Sequence, residues 1–290
     1  MKQITIISGK GGTGKTTVAS NFVKMASDHI AVDCDVDAAN LHILLNPKKI
    51  SEKDFVGGPI AILTGECINC GRCEEECRFE AISNSKSEIV IDPIRCEGCG
   101  VCIYVCPEDV LELKSEKQGT DFVSSTEFCT LVHARLIPGA ENSGLLITRI
   151  RNKAEDIANK KDTKIIIIDG APGIGCPVIS SLNGVDATLI VTEPTLSAIS
   201  DFKKVYEVAK IFDIKVFVCI NKYDLNQVNA REIEDFCQKN DIELIGKIPY
   251  DDEVSTFLSK KKFIIDSKES KAGEAIRQMW EDIKGYLYSK

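Results

Sequence analysis

The sequence has no apolar run near the roughly 18 residues needed to cross a bilayer, so we expect no membrane insertion. It also has no excess of positive charge, because 44 acidic residues outnumber 36 basic ones and the formal net charge is −8. Nucleic-acid partners are therefore not expected, since they are bound through basic surfaces. The three histidines lie in no metal-ligand spacing. What is left is a 290-residue chain with enough hydrophobic residues for a core and for roughly two domains.

A secretory leader is not apparent either, because a strand-like stretch, residues 3–8, follows Met1 almost at once. We therefore expect a cytoplasmic protein whose thiols are kept reduced. Against this background thirteen cysteines are unusual. Disulfide frameworks belong to small secreted proteins, so the cysteines favour metal or cluster ligation.

Short apolar strands alternate with helical patterns over most of the chain. The predicted strands are residues 3–8, 30–33, 164–169, 187–192 and 216–221, and the predicted helices include residues 15–27, 198–212 and 230–239. This alternation predicts an α/β fold with a mostly parallel sheet that is covered by helices on both faces.

Eight cysteines interrupt this alternation with an internal repeat. Cys67, Cys70, Cys73 and Cys77 recur 29 residues later as Cys96, Cys99, Cys102 and Cys106. We interpret residues 56–115 as a duplicated unit inserted into a main domain of residues 1–55 and 116–290. The stretch from Glu116 to Ser143 has no predicted structure.

A glycine-rich segment, Ser8-Gly-Lys-Gly-Gly-Thr-Gly-Lys-Thr-Thr17, follows the first strand and opens a helix. Such a loop aims backbone N–H groups and a helix N-terminus at phosphate oxygens. Lys15 is placed to reach the β- and γ-phosphates, and the Thr16 hydroxyl to ligate Mg²⁺. The predicted phosphate-binding residues are Gly9, Gly11, Gly12, Thr13, Gly14, Lys15, Thr16 and Thr17.

Acidic residues follow two of the predicted strands. Asp33, Asp35 and Asp37 end the second strand, and Asp169 ends the most apolar run. Because phosphates bind at the carboxyl ends of parallel strands, these carboxylates are predicted to lie at the same crevice. Asp37 has an alternative role as a helix cap.

The extra lysine in the loop, Lys10, makes the segment resemble the deviant phosphate-binding loop of the MinD/Mrp/ParA group of P-loop ATPases. The resemblance implies Mg-dependent hydrolysis of ATP and a homodimer in which Lys10 reaches the other subunit's phosphates. It implies that Asp33 and Asp169 belong to the magnesium shell and that Asp35 positions the attacking water. The alternative for Lys10 is a solvated surface lysine.

Two further segments are candidates for contact with the base. Asn221, which closes a strand, is placed to bond the base edge, and Asp251 lies in a loop expected near it. Asn221-Lys-Tyr-Asp224 also resembles the guanine-reading tetrad of GTPases, so GTP stays an alternative to ATP.

The repeated cysteine spacing is typical of bacterial ferredoxins with two [4Fe–4S] clusters. Three close thiolates wrap one face of a cluster, and the fourth serves the other cluster. This predicts one cluster held by Cys67, Cys70, Cys73 and Cys106, and a second held by Cys77, Cys96, Cys99 and Cys102. Structural zinc is the alternative, although zinc sites favour paired Cys-x-x-Cys units. Of the remaining cysteines, Cys34, Cys219 and Cys237 fit small buried hydrophobes.

As a whole the chain resembles MinD-superfamily ATPases that contain an inserted ferredoxin domain; His133-Ala-Arg-Leu136 and Glu141-Asn-Ser-Gly144 also resemble that subgroup, with no chemical role assigned. Three functions stay open: ATP-gated electron transfer, an iron–sulphur carrier as in the Mrp relatives, and a nucleotide switch with structural or sensing clusters. The carrier is disfavoured because its Cys-x-x-Cys pair is missing outside the insert. Residues 58–114 hold eleven acidic and five basic residues, which favours a redox partner with a basic docking face.

Overall fold

The computed structural model describes residues 1–85, 88–140 and 143–288. The chain divides into two compact units. Unit 1 contains Met1–Glu52, Asp121–Arg135 and Ser143–Lys290, and unit 2 contains Lys53–Thr120 and Leu136–Asn142. The predicted insert, residues 56–115, lies within unit 2.

Strands and helices alternate along the described residues. The strands are β1 (Lys2–Ser8), β2 (His29–Asp33), β3 (Lys48–Leu63), β4 (Ile82–Ser85), β5 (Glu88–Ile91), β6 (Leu111–Ser125), β7 (Thr130–Leu136), β8 (Ile165–Pro172), β9 (Ala187–Thr192), β10 (Lys215–Asn221) and β11 (Glu243–Ile248). The helices are α1 (Lys15–Met25), α2 (Leu41–Leu45), α3 (Arg72–Glu75), α4 (Val101–Tyr104), α5 (Ser143–Lys161), α6 (Cys176–Leu182), α7 (Leu196–Ile211), α8 (Gln227–Lys239), α9 (Asp252–Ser259) and α10 (Lys271–Leu287).

Nine strands form one sheet in the order β11-β10-β9-β1-β8-β2-β7-β6-β3. The pairs from β11 through β7 are parallel. Residues Ile165–Ile168 of β8 are all buried, although successive side chains of a strand point to opposite faces. Both faces of the sheet are therefore covered at this strand, as the continuous apolar run predicts. The predicted α/β class with a mostly parallel sheet is confirmed.

The segment after the predicted insert is more regular than the sequence indicates. Strand β6 continues to Ser125, and β7 follows after a turn in which the Thr126 amide donates to the Cys129 carbonyl. Strand β7 pairs in parallel with β2. Its apolar pattern is weakened in the sequence by His133 and Arg135, which explains why periodicity does not reveal it.

The C-terminal helix α10 supplies much of the core of unit 1. Its apolar stripe packs with α1 against the sheet, and Trp280 lies with its ring centroid 5.2 Å from that of Phe22. The apolar residues of this stripe are all buried, namely Ile276, Met279, Trp280, Ile283 and Leu287. The stripe thus serves core packing. Among the described residues, no helix is both long and apolar enough to cross a membrane.

The 29-residue repeat in unit 2 is also a repeat of backbone conformation. Helix α3 recurs as α4 at that spacing, and each begins after a glycine with φ of 78°, Gly71 and Gly100. Two further pairs at the same spacing have positive φ, Asn69 with Gly98 and Glu80 with Asp109. The two halves therefore follow the same path around their cysteines, which indicates that the duplication extends to the local fold.

Candidate functional site

The loop between β1 and α1 takes a conformation that only glycine permits at two positions. Gly12 and Gly14 have φ of 83° and 94°. A Cβ on Gly14 would lie 2.3 Å from the side-chain nitrogen of Asn221, and one on Gly9 would lie 2.6 Å from the Cβ of Asp201. The glycines therefore serve both the bend and the close approach of neighbouring chains.

A cleft of about 550 Å³ opens in front of this loop. That volume is typical of a site for a small-molecule ligand. The lining residues are Ser8, Gly11, Gly12, Gly14, Lys15, Thr16, Thr17, Asp35, Val36, Asp37, Ala38, Asn40, Ala171, Pro172 and Pro177. The predicted site residues that line the cleft are Gly11, Gly12, Gly14, Lys15, Thr16, Thr17 and Asp35. Those outside the lining are Gly9, Lys10, Thr13, Asp33, Asp169, Asn221 and Asp251.

Lys15 is buried beside two carboxylates. Its amine lies 2.8 Å from Asp169 Oδ1 and 3.7 Å from Asp35 Oδ2. Burial opposes the charged amine, but the neighbouring carboxylates, Asp169 foremost, outweigh burial and raise the pKa of Lys15. The cleft therefore contains a fixed positive charge at the N-terminus of α1, where an anion is favoured.

Asp33 and Asp169 are partners in the parallel register of β2 and β8, and both are almost completely buried. The oxygens of Asp33 accept the amides of Asp35 and Leu41, each at 3.1 Å. Burial, and then the charge of Asp169, raise the pKa of Asp33 to about 8. Asp169 Oδ2 is buried without a hydrogen-bond partner among the described residues. This concentration of acidic groups favours a nearby cation, and the unpartnered oxygen fits a donor such as a metal-bound water.

Lys10 lies outside the cleft lining and is held by a glutamate that sequence reasoning missed. Its amine lies 2.8 Å from Glu193 and within 3.3 Å of the hydroxyls of Thr195 and Ser197. Glu193 directly follows β9, and its position after a strand was the available signal. The alternative of a solvated surface lysine does not describe Lys10 fully, because its ammonium is paired with Glu193 of its own chain.

The two predicted base contacts are engaged elsewhere in the protein. Asn221 donates from its amide to the Thr13 carbonyl at 2.8 Å, which ties β10 to the glycine loop. Asp251 caps α9 and also accepts the Ser270 hydroxyl at 2.6 Å. Contact of either residue with a base stays a prediction.

Unit 2 contains two cavities that divide the repeated cysteines between them. One is small, about 20 Å³, and is lined by Cys67, Cys70, Cys73 and Cys106 among apolar side chains. The other, also about 20 Å³, is lined by Cys77, Cys96, Cys99 and Cys102. Each cavity thus takes three cysteines from one half of the repeat and one from the other, which is the grouping that the spacing predicts.

Backbone amides point at several of these sulphurs. The amides of Ala61 and Asn69 donate to Cys96 and Cys67 at 3.3 Å, and the amide of Ala81 donates to Cys77 at 3.4 Å. Donors in this position stabilise thiolate charge. Over the described residues, no group of three or more His, Cys, Asp or Glu side chains converges closely enough for one metal ion. Each cavity is lined by four cysteines, which is the donor set that a [4Fe–4S] cluster takes.

All thirteen cysteines are free thiols. The predicted burial of Cys34, Cys219 and Cys237 is confirmed, since each is almost completely inaccessible. Cys176 is exposed at the start of α6. Of the segment 141–144, Glu141 and Asn142 lie outside the described residues.

A glycine substitution tests the loop geometry. We expect Gly14→Ala to lower the free energy of unfolding by about 1–3 kcal/mol, because the new methyl group combines a positive φ with a contact on Asn221. Gly11→Ala is the matched control, since its Cβ would meet nothing within 4 Å, and its effect should stay within about 0.5 kcal/mol. Urea unfolding followed by the fluorescence of Trp280, the single tryptophan, measures both. Equal losses would contradict the described loop.

Comparisons with known proteins agree with this fold. The chain is 33% identical over 288 residues to an uncharacterized protein of Methanocaldococcus jannaschii, covering 98% of this chain and 97% of that one. It is similar in fold to the septum site-determining protein MinD complexed with Mg-ADP from Pyrococcus horikoshii. That comparison has a TM-score of 0.59 and 19% identity, and covers 100% of this chain and 99% of the other.

One further similarity covers only a short part of the chain. Over 48 residues the chain is 40% identical to one subunit of an ion-translocating oxidoreductase complex of Methanosarcina acetivorans, covering 17% of this chain and 18% of that protein. The family model for the CobQ/CobB/MinD/ParA nucleotide binding domain, in contrast, matches residues 4–264. Because this match covers most of the chain, including the glycine loop and the parallel strands, the chain belongs to the CobQ/CobB/MinD/ParA nucleotide-binding family.

Proposed function

We propose that this protein is a slow, magnesium-dependent ATPase that uses its nucleotide state to control electron transfer from two [4Fe–4S] clusters to a redox partner. The observation that carries the proposal is the division of eight cysteines between two cavities in a chain whose other unit has a phosphate-binding loop. A nucleotide site alone would fit a simple switch, and the cysteines alone would fit a simple electron carrier. Their combination in one chain favours a coupled function.

The proposed nucleotide site consists of residues in and beside the cleft at the glycine loop. Lys15 provides positive charge for the β- and γ-phosphates, and the loop amides surround them. Asp35 lines the cleft and accepts a proton or orients a water there. Thr16, with Asp33 and Asp169 behind it, provides oxygens for magnesium. When bound, Mg²⁺ neutralises phosphate charge. The Mg-ADP bound by the similar MinD protein supports this assignment.

ATP is favoured over GTP by the position of Asp224. In a guanine-reading tetrad this carboxylate must be available to the base. Here Asp224 Oδ1 accepts the backbone amide of Tyr250 at 2.7 Å. A carboxylate engaged by its own chain is a poor reader of guanine, so we assign adenine.

Two substitutions in the cleft separate binding from turnover. Lys15→Ala should weaken ATP binding by about 30-fold or more, because phosphate charge is left unpaired. Asp35→Ala should keep the affinity and lower kcat by about 100-fold or more, because a water-orienting group acts mainly in the transition state. Isothermal titration and phosphate release measure the two quantities, and Trp280 fluorescence confirms folding. The same loss of affinity in both variants would remove Asp35 from its catalytic role.

The cluster end of the proposal rests on the two cysteine-lined cavities. Cys67, Cys70, Cys73 and Cys106 would hold one cluster, and Cys77, Cys96, Cys99 and Cys102 the other. When bound, the clusters supply one-electron redox chemistry. The chain's own contribution is an apolar surrounding for each set of sulphurs, in which Cys73 and Cys102 are the most buried, and amide donors that stabilise the thiolates.

The ligand grouping is tested by matched cysteine variants. The wild-type protein, prepared anaerobically, should contain about eight iron and eight sulphide per chain. Cys73→Ala and Cys102→Ala should each lose about half of this content and should each lose a different electron paramagnetic resonance signal on reduction. Cys237→Ala, a buried cysteine of α8, is the control and should keep all of it. Loss of the same signal in both variants would refute the grouping, and stoichiometric zinc without sulphide would refute the clusters.

Chain order supplies the argument for coupling. The segment that carries Asp33 and Asp35 continues through α2 and β3 into unit 2, and the chain returns through β6 and β7 before β8 brings Asp169. The first stretch of unit 2, Lys53–Thr120, therefore follows Asp33 and Asp35 in the chain, and its second stretch, Leu136–Asn142, precedes Asp169. These three carboxylates are the residues that we propose respond to the γ-phosphate. A change in the position or charge of the Asp33 carboxylate acts directly on α2, because the Leu41 amide at the start of that helix donates to the carboxylate.

We further propose that ATP closes a homodimer in which Lys10 exchanges Glu193 for the phosphates of the other subunit. Lys10 is only partly buried, so the exchange needs no unfolding of the loop. The acidic residues of the insert then favour a partner with a basic docking face. A useful effect requires that the partner distinguish the two states, since nucleotide affinity alone shifts no equilibrium.

The gating experiment uses the partner captured from native cells on the immobilised full-length protein. We expect oxidation of the reduced clusters by this partner to differ by about 5–150-fold between ADP and a non-hydrolysable ATP analogue. Lys10→Ala should abolish the difference. Lys203→Ala, which breaks a surface ion pair with Glu232, should retain it. Equal rates in wild type with both nucleotides would reject gating and favour a nucleotide switch with passive clusters.

A further inference from the structure

The first three residues of the segment His133-Ala-Arg-Leu136, which the proposed function does not use, line a second cavity in unit 1. This cavity has a volume of about 200 Å³ and lies between α2, β6 and β7. His42 of α2 and His133 of β7 face it, with Ser124, Arg135 and Lys49. Two of the three histidines of the chain are thus brought together by elements far apart in the sequence.

The imidazole rings are held in a fixed stack. The rings of His42 and His133 are nearly parallel, at 8°, with centroids 5.9 Å apart, and Phe122 stacks on His133 with a centroid distance of 5.0 Å. The Ser124 hydroxyl lies 3.2 Å from His133 Nε2. A stack of this kind orients ring N–H groups without using their full hydrogen-bonding capacity.

The polar groups of the cavity are short of acceptors. His42 Nδ1 is buried and has no hydrogen-bond partner among the described residues. Arg135 is exposed and forms no ion pair with a described carboxylate, while Lys49 is paired with Glu52 at 2.7 Å. The cavity lining, as far as the structure describes it, contains no acidic side chain. A guanidinium and two imidazoles around one cavity, with no carboxylate in its described lining, form a donor set that suits an oxyanion.

We propose that this cavity is a binding site for a small oxyanion, a phosphate or carboxylate group, held by Arg135 and by the imidazoles of His42 and His133. The site is separate from the cleft at the glycine loop, with which it shares no lining residue. It nevertheless lies beside the nucleotide machinery, because His133 of β7 is the register partner of Asp33 on β2. Its α2 side begins with Leu41, whose amide binds the same carboxylate.

A metal ion fits the cavity less well than an anion. Among the described residues, no third His, Cys, Asp or Glu side chain joins the two imidazoles to complete a metal site. The guanidinium of Arg135 also disfavours a cation in the same space, and burial together with the positive charge of Arg135 lowers the pKa of His42. Neutral imidazole N–H groups beside a permanent positive charge are donors for an anion.

The chain's histidine content allows a direct test. Nuclear magnetic resonance is recorded on full-length protein labelled at histidine. The protein is kept anaerobic and saturated with Mg-ADP so that the glycine loop is occupied. It is then titrated with inorganic phosphate and, separately, with succinate. We expect saturable shifts in the imidazole signals of His42 and His133. The signal of His29, which is buried at the start of β2 and outside the cavity, should stay in place. The two titrations distinguish a phosphate from a carboxylate ligand.

Charge-removing variants decide whether the cavity is responsible. Arg135→Gln should weaken the binding of the anion by about tenfold or more, because a charged donor is lost. Arg231→Gln, which removes another exposed arginine, in α8, should leave it unchanged. Saturable shifts that depend on Arg135 support the site. The absence of saturable shifts with both anions, or shifts that are the same in Arg135→Gln, would overturn it.

Discussion

The nucleotide end of this molecule depends on one buried lysine, whose amine lies 2.8 Å from Asp169 and near Asp35. A buried charge of this kind is costly without a partner, and each partner left alone is costlier still. Lys15 can stay charged because the parallel sheet brings Asp169 and Asp33 to the ends of adjacent strands, and the helix that begins at Lys15 follows β1 on the other side of β8. The strand order and the glycine bend therefore serve the same end. Together they bring the positive charge of Lys15 and the carboxylates that balance it to one place in the fold.

The fold of unit 2 depends on the 29-residue sequence repeat. The cysteines pack in one small core with aliphatic side chains, and Cys73 and Cys102 are buried in it. By exchanging one cysteine between halves, each cavity draws on both, so neither half is complete without the other. Positive φ at Gly71 and Gly100 turns the chain into α3 and α4 in the same way, which places Cys73 and Cys102 at corresponding buried positions. The local fold and the proposed ligand grouping thus have a single origin in the 29-residue spacing.

What could be predicted from the sequence follows the range of the interactions involved. The glycine loop and the cysteine groups are encoded in short spacings, and the α/β class in a repeated alternation, so a sequence is sufficient for them. The partner of Lys10 was not predictable, because Glu193 reaches it only through the pairing of β9 with β1. The complete burial of Asp33 and the hydrogen bond from Ser270 to Asp251 depend in the same way on tertiary contacts. Strand β7 was missed because the polar residues that line the second cavity, His133 and Arg135, interrupt its apolar pattern.

The position of Asp33 connects these observations. Its carboxylate accepts the amide of Leu41, its strand pairs with β8 on one side and β7 on the other, and its register partners are Asp169 and His133. Any change in charge at Asp33, whose pKa burial and Asp169 raise to about 8, alters the strength of the hydrogen bond that begins α2. Helix α2 carries His42 and leads directly into β3, the connection to unit 2. One buried carboxylate thus contacts or pairs with β8, β7 and the start of α2. Under the proposed function, Asp33 is therefore the residue through which the nucleotide, the second cavity and the chain that leads to the cysteines would affect one another.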